Sequence, residues 1–228
     1  MTPQALSPVL DVIDAVAGEA FGLTGVVEAF VAAHLAHQLD REPTASAVSG
    51  LREAVETSLR TPGARVVGAG FVAAAGLFVD RPWWLEWLVR EGALVERLEV
   101  PMGPEQPGFY DYTTTPWFRE PERDGQRHVT GPFVDYLCTE DLTVTFSQPV
   151  TVDGRFVGVA ACDVRAVTVE RELLPVLRRL EQTYIVANDD RVLCSNSGRY
   201  VCGDLLAPGA AGRRHGLEGL PLTIVEPA

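Results

Sequence analysis

The sequence is poor in the patterns that announce chemistry. Its four Cys (Cys138, Cys162, Cys194, Cys202) form no CxxC pair, and its four His (His34, His37, His128, His215) form no HExxH. His34 and His37 are three apart on a predicted helix without a third ligand, so no metal site and no cofactor are expected. There is no phosphate loop of the GxxxxGK[ST] type and no GxSxG nucleophile elbow. The segment GAGFVAAAG has the wrong spacing for a dinucleotide turn, and no helical pattern follows it. Asp135, Glu140 and Asp141 are neighbouring carboxylates, but nothing positions a water or a base for them, so the chain reads as a non-enzyme. Lys and Arg are nowhere clustered, and the net charge is −12 with a pI near 4.8. That disfavours nucleic acid as a partner and is compatible with a cationic ligand. The N-terminus lacks the basic region of a signal peptide, and no run of 18 uncharged apolar residues exists. These absences predict a soluble, cytoplasmic protein without a membrane partner. In that compartment Cys194 and Cys202, which could meet across a hairpin as a disulfide, are expected to stay reduced.

What is present is a globular composition, 46% hydrophobic over 228 residues, enough for a sizeable core. Residues 5–60 read as helical. Val9, Ile13, Val16, Ala20 and Val27 fall on one stripe, and Ser7-Pro8 is a helix-start signal. ASAVSGLREAVETSLR is a second helix, stopped by Thr61-Pro62-Gly63. The texture then changes to strands: ARVVGAGFVAAAGLFVD, then two short ones around Glu91-Gly92. Residues 101–136 read as a long loop with little regular pattern, a length that in a compact domain points to function. In LTVTFSQPV, Leu142, Val144 and Phe146 alternate with Thr143, Thr145 and Ser147. Asp153-Gly154 is a two-residue hairpin signal, and RFVGVAACDV is the returning strand. An amphipathic helix containing Pro175, a hairpin at Asn188-Asp189-Asp190 and a candidate edge strand, LPLTIVE, complete the chain. The fold class is α+β. The organisation is 1–62 as an N-terminal helical segment, 63–182 as the core, and 183–228 as C-terminal strands or a truncated second module.

Two features carry candidate chemistry. Twelve of the 18 aromatics lie between Phe71 and Tyr136, including all four Trp. They can be core, or, where they interleave with Asp111, Asp135, Pro and Gly in 109–136, walls of a pocket for an ammonium group. The pattern of the residues leaves both readings open. Asp163 ends a strand apolar on both faces, with Val157, Val159 and Ala161 expected on its own side. A carboxylate there needs a partner: backbone amides, Arg165, or the amine of a ligand.

The stretch GPFVDYLCTEDLTVTFSQPVTVDGRFVGVAACDV resembles the core of Cache sensor domains. There a Pro-Tyr-x-Asp element leads into a strand ending near Ser-x-Pro-Val, followed by a Gly turn and a Gly-Val-x-x-x-Asp strand. Upstream, YDYTTTPWF resembles that family's aromatic element, and the likeness covers about residues 64–182. It implies a PAS-like fold, with an antiparallel sheet cradling a small ligand under a cover, in a sensor and not an enzyme. Carried over, the ligand-binding positions are Tyr110, Thr115, Trp117, Phe118, Phe133, Asp135 and Asp163. Thr115 stands where amino-acid-binding members have an Arg able to fork onto a carboxylate. The resemblance with that departure implies a small cationic amine as ligand. The alternatives are an amino acid, if Arg119 or Arg127 replaces the missing Arg, and an enzyme acting on a small nitrogenous metabolite through Asp135 or Asp163. It further implies a homodimer through the N-terminal helices and a separate output protein, such as a transcription regulator.

Overall fold

The apolar stripe of the N-terminal segment becomes the buried face of one long helix, α1 (Pro3–Leu35). Val9, Ile13, Val16, Ala20 and Val27 are all buried, and Val31 and Leu35 extend the line. Burying each Val, Ile or Leu of this line contributes about 1.5–3 kcal/mol towards the entropy cost of ordering the helix. Leu6–Leu35 also has the length and hydropathy of a membrane-crossing helix, although 44% of its most apolar stretch is buried within the protein. The lack of an uncharged run therefore does not by itself decide the membrane question. The structure, a computed structural model, describes residues 3–134, 141–187, 189–207 and 212–227.

After α1 come 3₁₀ turns at Leu39–Arg41 and Ala45–Val48 and a short helix, α2 (Leu51–Leu59). The predicted second helix is thus broken at Ser49-Gly50. Then follow β1 (Val66–Ala73), β2 (Leu85–Glu91) and β3 (Leu94–Arg97), the last two turning at Gly92 as expected. The stretch read as an irregular loop is in fact ordered in its second half, with α3 (Pro116–Asp124) and β4 (His128–Val134). Its Pro and Gly residues act as helix start and stop signals rather than as loop composition. Thr115 is an extended N-cap, Pro116 occupies the first turn, and Gly125 (φ 68°) closes the helix while its N–H donates to Pro121 O.

β5 (Leu142–Val152) and β6 (Arg155–Arg165) form the predicted hairpin. Asp153 and Gly154 both have positive φ, 51° and 76°, as a tight two-residue turn between twisted strands demands. The six strands make one antiparallel sheet in the order β3-β2-β1-β6-β5-β4. α1 crosses one face of it, against β5, β6 and β1; α3 covers the other, against β4, β5 and β6. The faces of β6 differ from simple alternation. A register shift at Gly158 (φ 145°) turns Val157 toward the α1-side core and Phe156 toward the α3 side, while Val159 and Ala161 stay on the α3 side.

α4 (Ala166–Leu177), containing Pro175, leads to a second antiparallel sheet. It comprises β7 (Tyr184–Ala187), β8 (Val192–Ser195), β9 (Gly212–Gly216) and β10 (Leu222–Pro227), in the order β8-β7-β10-β9. LPLTIVE is therefore an inner strand, not an edge; β9, rich in Arg and Gly and without alternation, takes the edge. The two sheets share a core: Ile185, Leu193 and Ile224 pack in the same apolar cluster as Ile13, Val16 and Leu173.

Candidate functional site

α3 and β4 place side chains over one edge of the large sheet, and the β7–β8 hairpin approaches them from the second sheet. A cleft of about 380 Å³ lies between. Tyr110, Thr115, Trp117 and Phe133 line it, with Pro116, Thr130, Gly131 and Val134. The second sheet adds Asp189 and Arg191. Trp117 is presented by the first turn of α3. Phe133 follows a register shift at Gly131, whose φ of 106° and 2.6 Å approach of a would-be Cβ to Thr143 O admit only glycine. The Thr115 hydroxyl donates to Tyr112 O at 2.6 Å, so it is held by the backbone at the start of the helix.

Of the remaining three candidates, two are described and neither lines the cleft. Phe118 is outside the lining of the cleft; it is fully buried, with its ring 5.2 Å from Tyr112 and 5.8 Å from Phe156. Asp135 falls outside the described residues. Asp163 is buried on the sheet face beneath α3, where its carboxylate accepts from Thr145 Oγ1 at 2.6 Å. Arg165 does not serve it, since Arg165 pairs with Asp141 at 2.9 Å. Strand register sets Thr130, Thr145, Asp163 and Gly68 in one row across four strands. The neighbouring row runs Ser147, Ala161, Gly70 and Trp87. In that second row the Trp87 Nε1–H and the Ser147 hydroxyl are buried without a hydrogen-bond partner among the described residues, and the Trp87 indole nitrogen lies over Gly68, where a Cβ would come within 3.0 Å. Orphaned buried donors each cost about 1–3 kcal/mol.

Tyr112 braces the cover. Its phenol donates to Ala73 O at 2.9 Å and accepts from Trp84 N at 3.3 Å, and burial pushes its pKa up to about 12.

The candidate substitutes for the missing Arg are both placed away from the cleft. Arg119 is exposed and pairs with Glu120 at 3.0 Å. Arg127 donates to Gln148 at 3.1 Å and stacks 5.0 Å from the Phe21 ring, against α1. The cation at the cleft is Arg191, which donates to Gly203 O at 2.9 Å and sits 3.6 Å from Asp189. Sequence reasoning missed Asp189 and Arg191 as site residues, because only the packing of the second sheet brings their hairpin near β4.

Residues 92–170 match the family model of the methyl-accepting chemotaxis protein-like first PDC sensor domain. Over 99% of this chain and 97% of the other, the fold is similar to that of a solved methyl-accepting chemotaxis protein X, with a TM-score of 0.65 at 11% identity. The ligand-binding domain of Campylobacter jejuni chemoreceptor Tlp3, solved with 4-methylisoleucine, matches at TM-score 0.54 and 11% identity, covering 99% of this chain and 92% of that one. An extracellular domain assigned to a histidine kinase, soHK1S-Z6, matches at 0.55 and 14% identity over 83% of this chain and 65% of that one. The expectation of a cytoplasmic location finds no support in these relatives.

Proposed function

We propose that this Cache-like sensor domain binds a small ligand bearing a positively charged nitrogen in the cleft between the α3–β4 cover and the β7–β8 hairpin. The observation that carries the reading is the convergence of aromatic faces from Tyr110, Trp117 and Phe133 with the Asp189 carboxylate around one cavity of about 380 Å³. Such walls attract a cation through ring quadrupoles, and a carboxylate supplies the counter-charge. Asp135 and Asp163 are further candidate counter-charges, and Phe118 supports the wall from behind. A simple amine fits a cleft whose position 115 is Thr. An amino acid is the second reading, favoured by Arg191 at the cleft edge, since a guanidinium can take a carboxylate in two parallel bonds.

The protein in this reading is a sensor and not an enzyme. It acts outside the cytoplasm, as fits a fold shared with an extracellular receptor domain, and it passes its signal to a separate output protein. Two copies associate through α1. The test of ligand class is a thermal-shift panel of small amines, the matching amino acids and the matching carboxylates. Amines and amino acids are expected to raise the Tm with increasing concentration, and Trp117→Ala to remove the rise. A panel in which only carboxylates without nitrogen stabilise the protein sinks the proposal. Loss of the response to amino acids but not amines in Arg191→Met supports the second reading.

A further inference from the structure

We propose that Cys194 and Cys202 form a disulfide that ties the turn at residues 201–204 to β8. The inference rests on chain register and is independent of which ligand binds. The segment from Gly203 to Leu206 runs antiparallel beside residues 190–192: Leu206 N donates to Asp190 O at 3.0 Å, and Val192 N to Asp204 O at 2.8 Å. Gly203 N in turn donates to Val192 O at 2.8 Å, and Arg191 bridges to Leu205. Asp204 N closes a turn onto Val201 O at 3.1 Å, with Gly203 at φ 93°. This arrangement sets Cys202 at the end of the paired segment, beside the part of β8 that carries Cys194. Both side chains pack against the same apolar core, and the charge of a Cys202 thiolate is felt at Cys194.

The two thiols are free in this structure, with Cys194 buried and Cys202 partly exposed. Cys162 is no competitor: it is fully buried beneath α1, and its thiol donates to Ala20 O. The oxidant is a low-molecular-weight disulfide or a thiol–disulfide oxidoreductase. The Cys202 thiolate attacks one sulfur of that disulfide and expels the first thiol. The Cys194 thiolate then attacks Cys202 Sγ and expels the second. Two protons leave the protein thiols, and two electrons pass to the oxidant. Burial pushes both thiols up to about 12, so the exchange is fastest while the chain folds, before the second sheet closes. The bond then fixes the turn whose Gly203 carbonyl seats the Arg191 guanidinium at the cleft edge.

The test is to refold the full chain in a mixture of reduced and oxidised glutathione, block free thiols, and map peptides without reduction. The expected product joins the Cys194 and Cys202 peptides, lighter than their sum by two hydrogens. Reduction should then lower the Tm by roughly 5–10 °C, as for a short closed loop, and Cys202→Ser should abolish that drop. Recovery of both cysteines in blocked form, linkage of either to Cys138, or a Tm indifferent to reductant overturns the proposal.

Discussion

Tyr112 shows how one polar atom in an aromatic cluster couples local geometry to pH. Its hydroxyl sits where β1 and β2 part, serving Ala73 O and Trp84 N at once, and the whole side chain is buried. The neutral phenol is favoured in the fold, with its pKa moved from 10.0 to about 12. Below about pH 10 both folded and unfolded states hold the proton and the contribution is complete. Above it the unfolded chain releases its proton first, so stability falls as pH rises towards 12, by about 1.4 kcal/mol per unit. The chain contains no Lys, so no ammonium titration overlies this window. Urea unfolding at about pH 9 and pH 11 should show the loss. Tyr112→Phe should cost about 1–2 kcal/mol at the lower pH and reduce the slope, the thiols of Cys162, Cys194 and Cys202, raised by burial, supplying the rest; an equal slope in both proteins would remove Tyr112 as a source. Thr115 shows the converse. The sequence marks it as the position where the domains it resembles carry an Arg, and the structure adds that its hydroxyl donates to Tyr112 O.

At the scale of elements, the decisive feature is the irregularity in β6. Gly158 at φ 145° lets β6 shift register against β5 and lie close to β1, where a Cβ would meet Val72 O at 2.3 Å. That shift puts Phe156 against Phe118 under the cover. Gly158→Ala should therefore destabilise by at least about 2 kcal/mol, from backbone strain and a clash with rigid strand atoms. A change in the urea midpoint indistinguishable from zero would mean that β6 can run without its bulge. Between elements, Arg65 joins α1 to α4: it meets Glu19 at 2.7 Å and Glu172 at 2.7 Å, and these carboxylates raise its already high pKa further. This clamp ties the helix proposed to carry the dimer contact to the helix that leads into the second sheet.

For the molecule as a whole, the question is what α1 faces on its outer side. Val26 is 47% exposed on that helix. With Gly22 and Leu23 it borders a groove of about 420 Å³ completed by Pro62 and Gly63. A second copy burying this surface is the proposed occupant, and light scattering on the full chain should give twice the monomer mass. Val26→Glu should shift the protein to the monomer mass without altering its Tm response to ligand. A wild-type chain that runs as a monomer at micromolar concentration would discard the dimer.

How much was legible in advance differs by level. Local chemistry alone determined the long apolar stripe of α1, the hairpin at Asp153-Gly154, the alternation of β5 and the α+β class, because each depends on periodicity or turn residues within a few positions. The motif likeness also marked Tyr110, Thr115, Trp117 and Phe133, which do meet around one cleft. The rest depended on contacts between residues far apart in the chain. α3 was hidden because Pro116, Pro121 and Gly125 look like loop residues until the capping geometry is seen. Phe118 and Trp117 are adjacent in sequence, yet helical geometry sends one into the core and leaves the other at the cleft. Asp189 and Arg191 join the cleft only because the second sheet shares a core with α1 and α4. The sequence by itself determined the elements whose periodicity or turn residues are local, and it marked some of the side chains at the cleft. The tertiary structure decided which of them face a common space, because that depends on how the two sheets pack rather than on any local pattern.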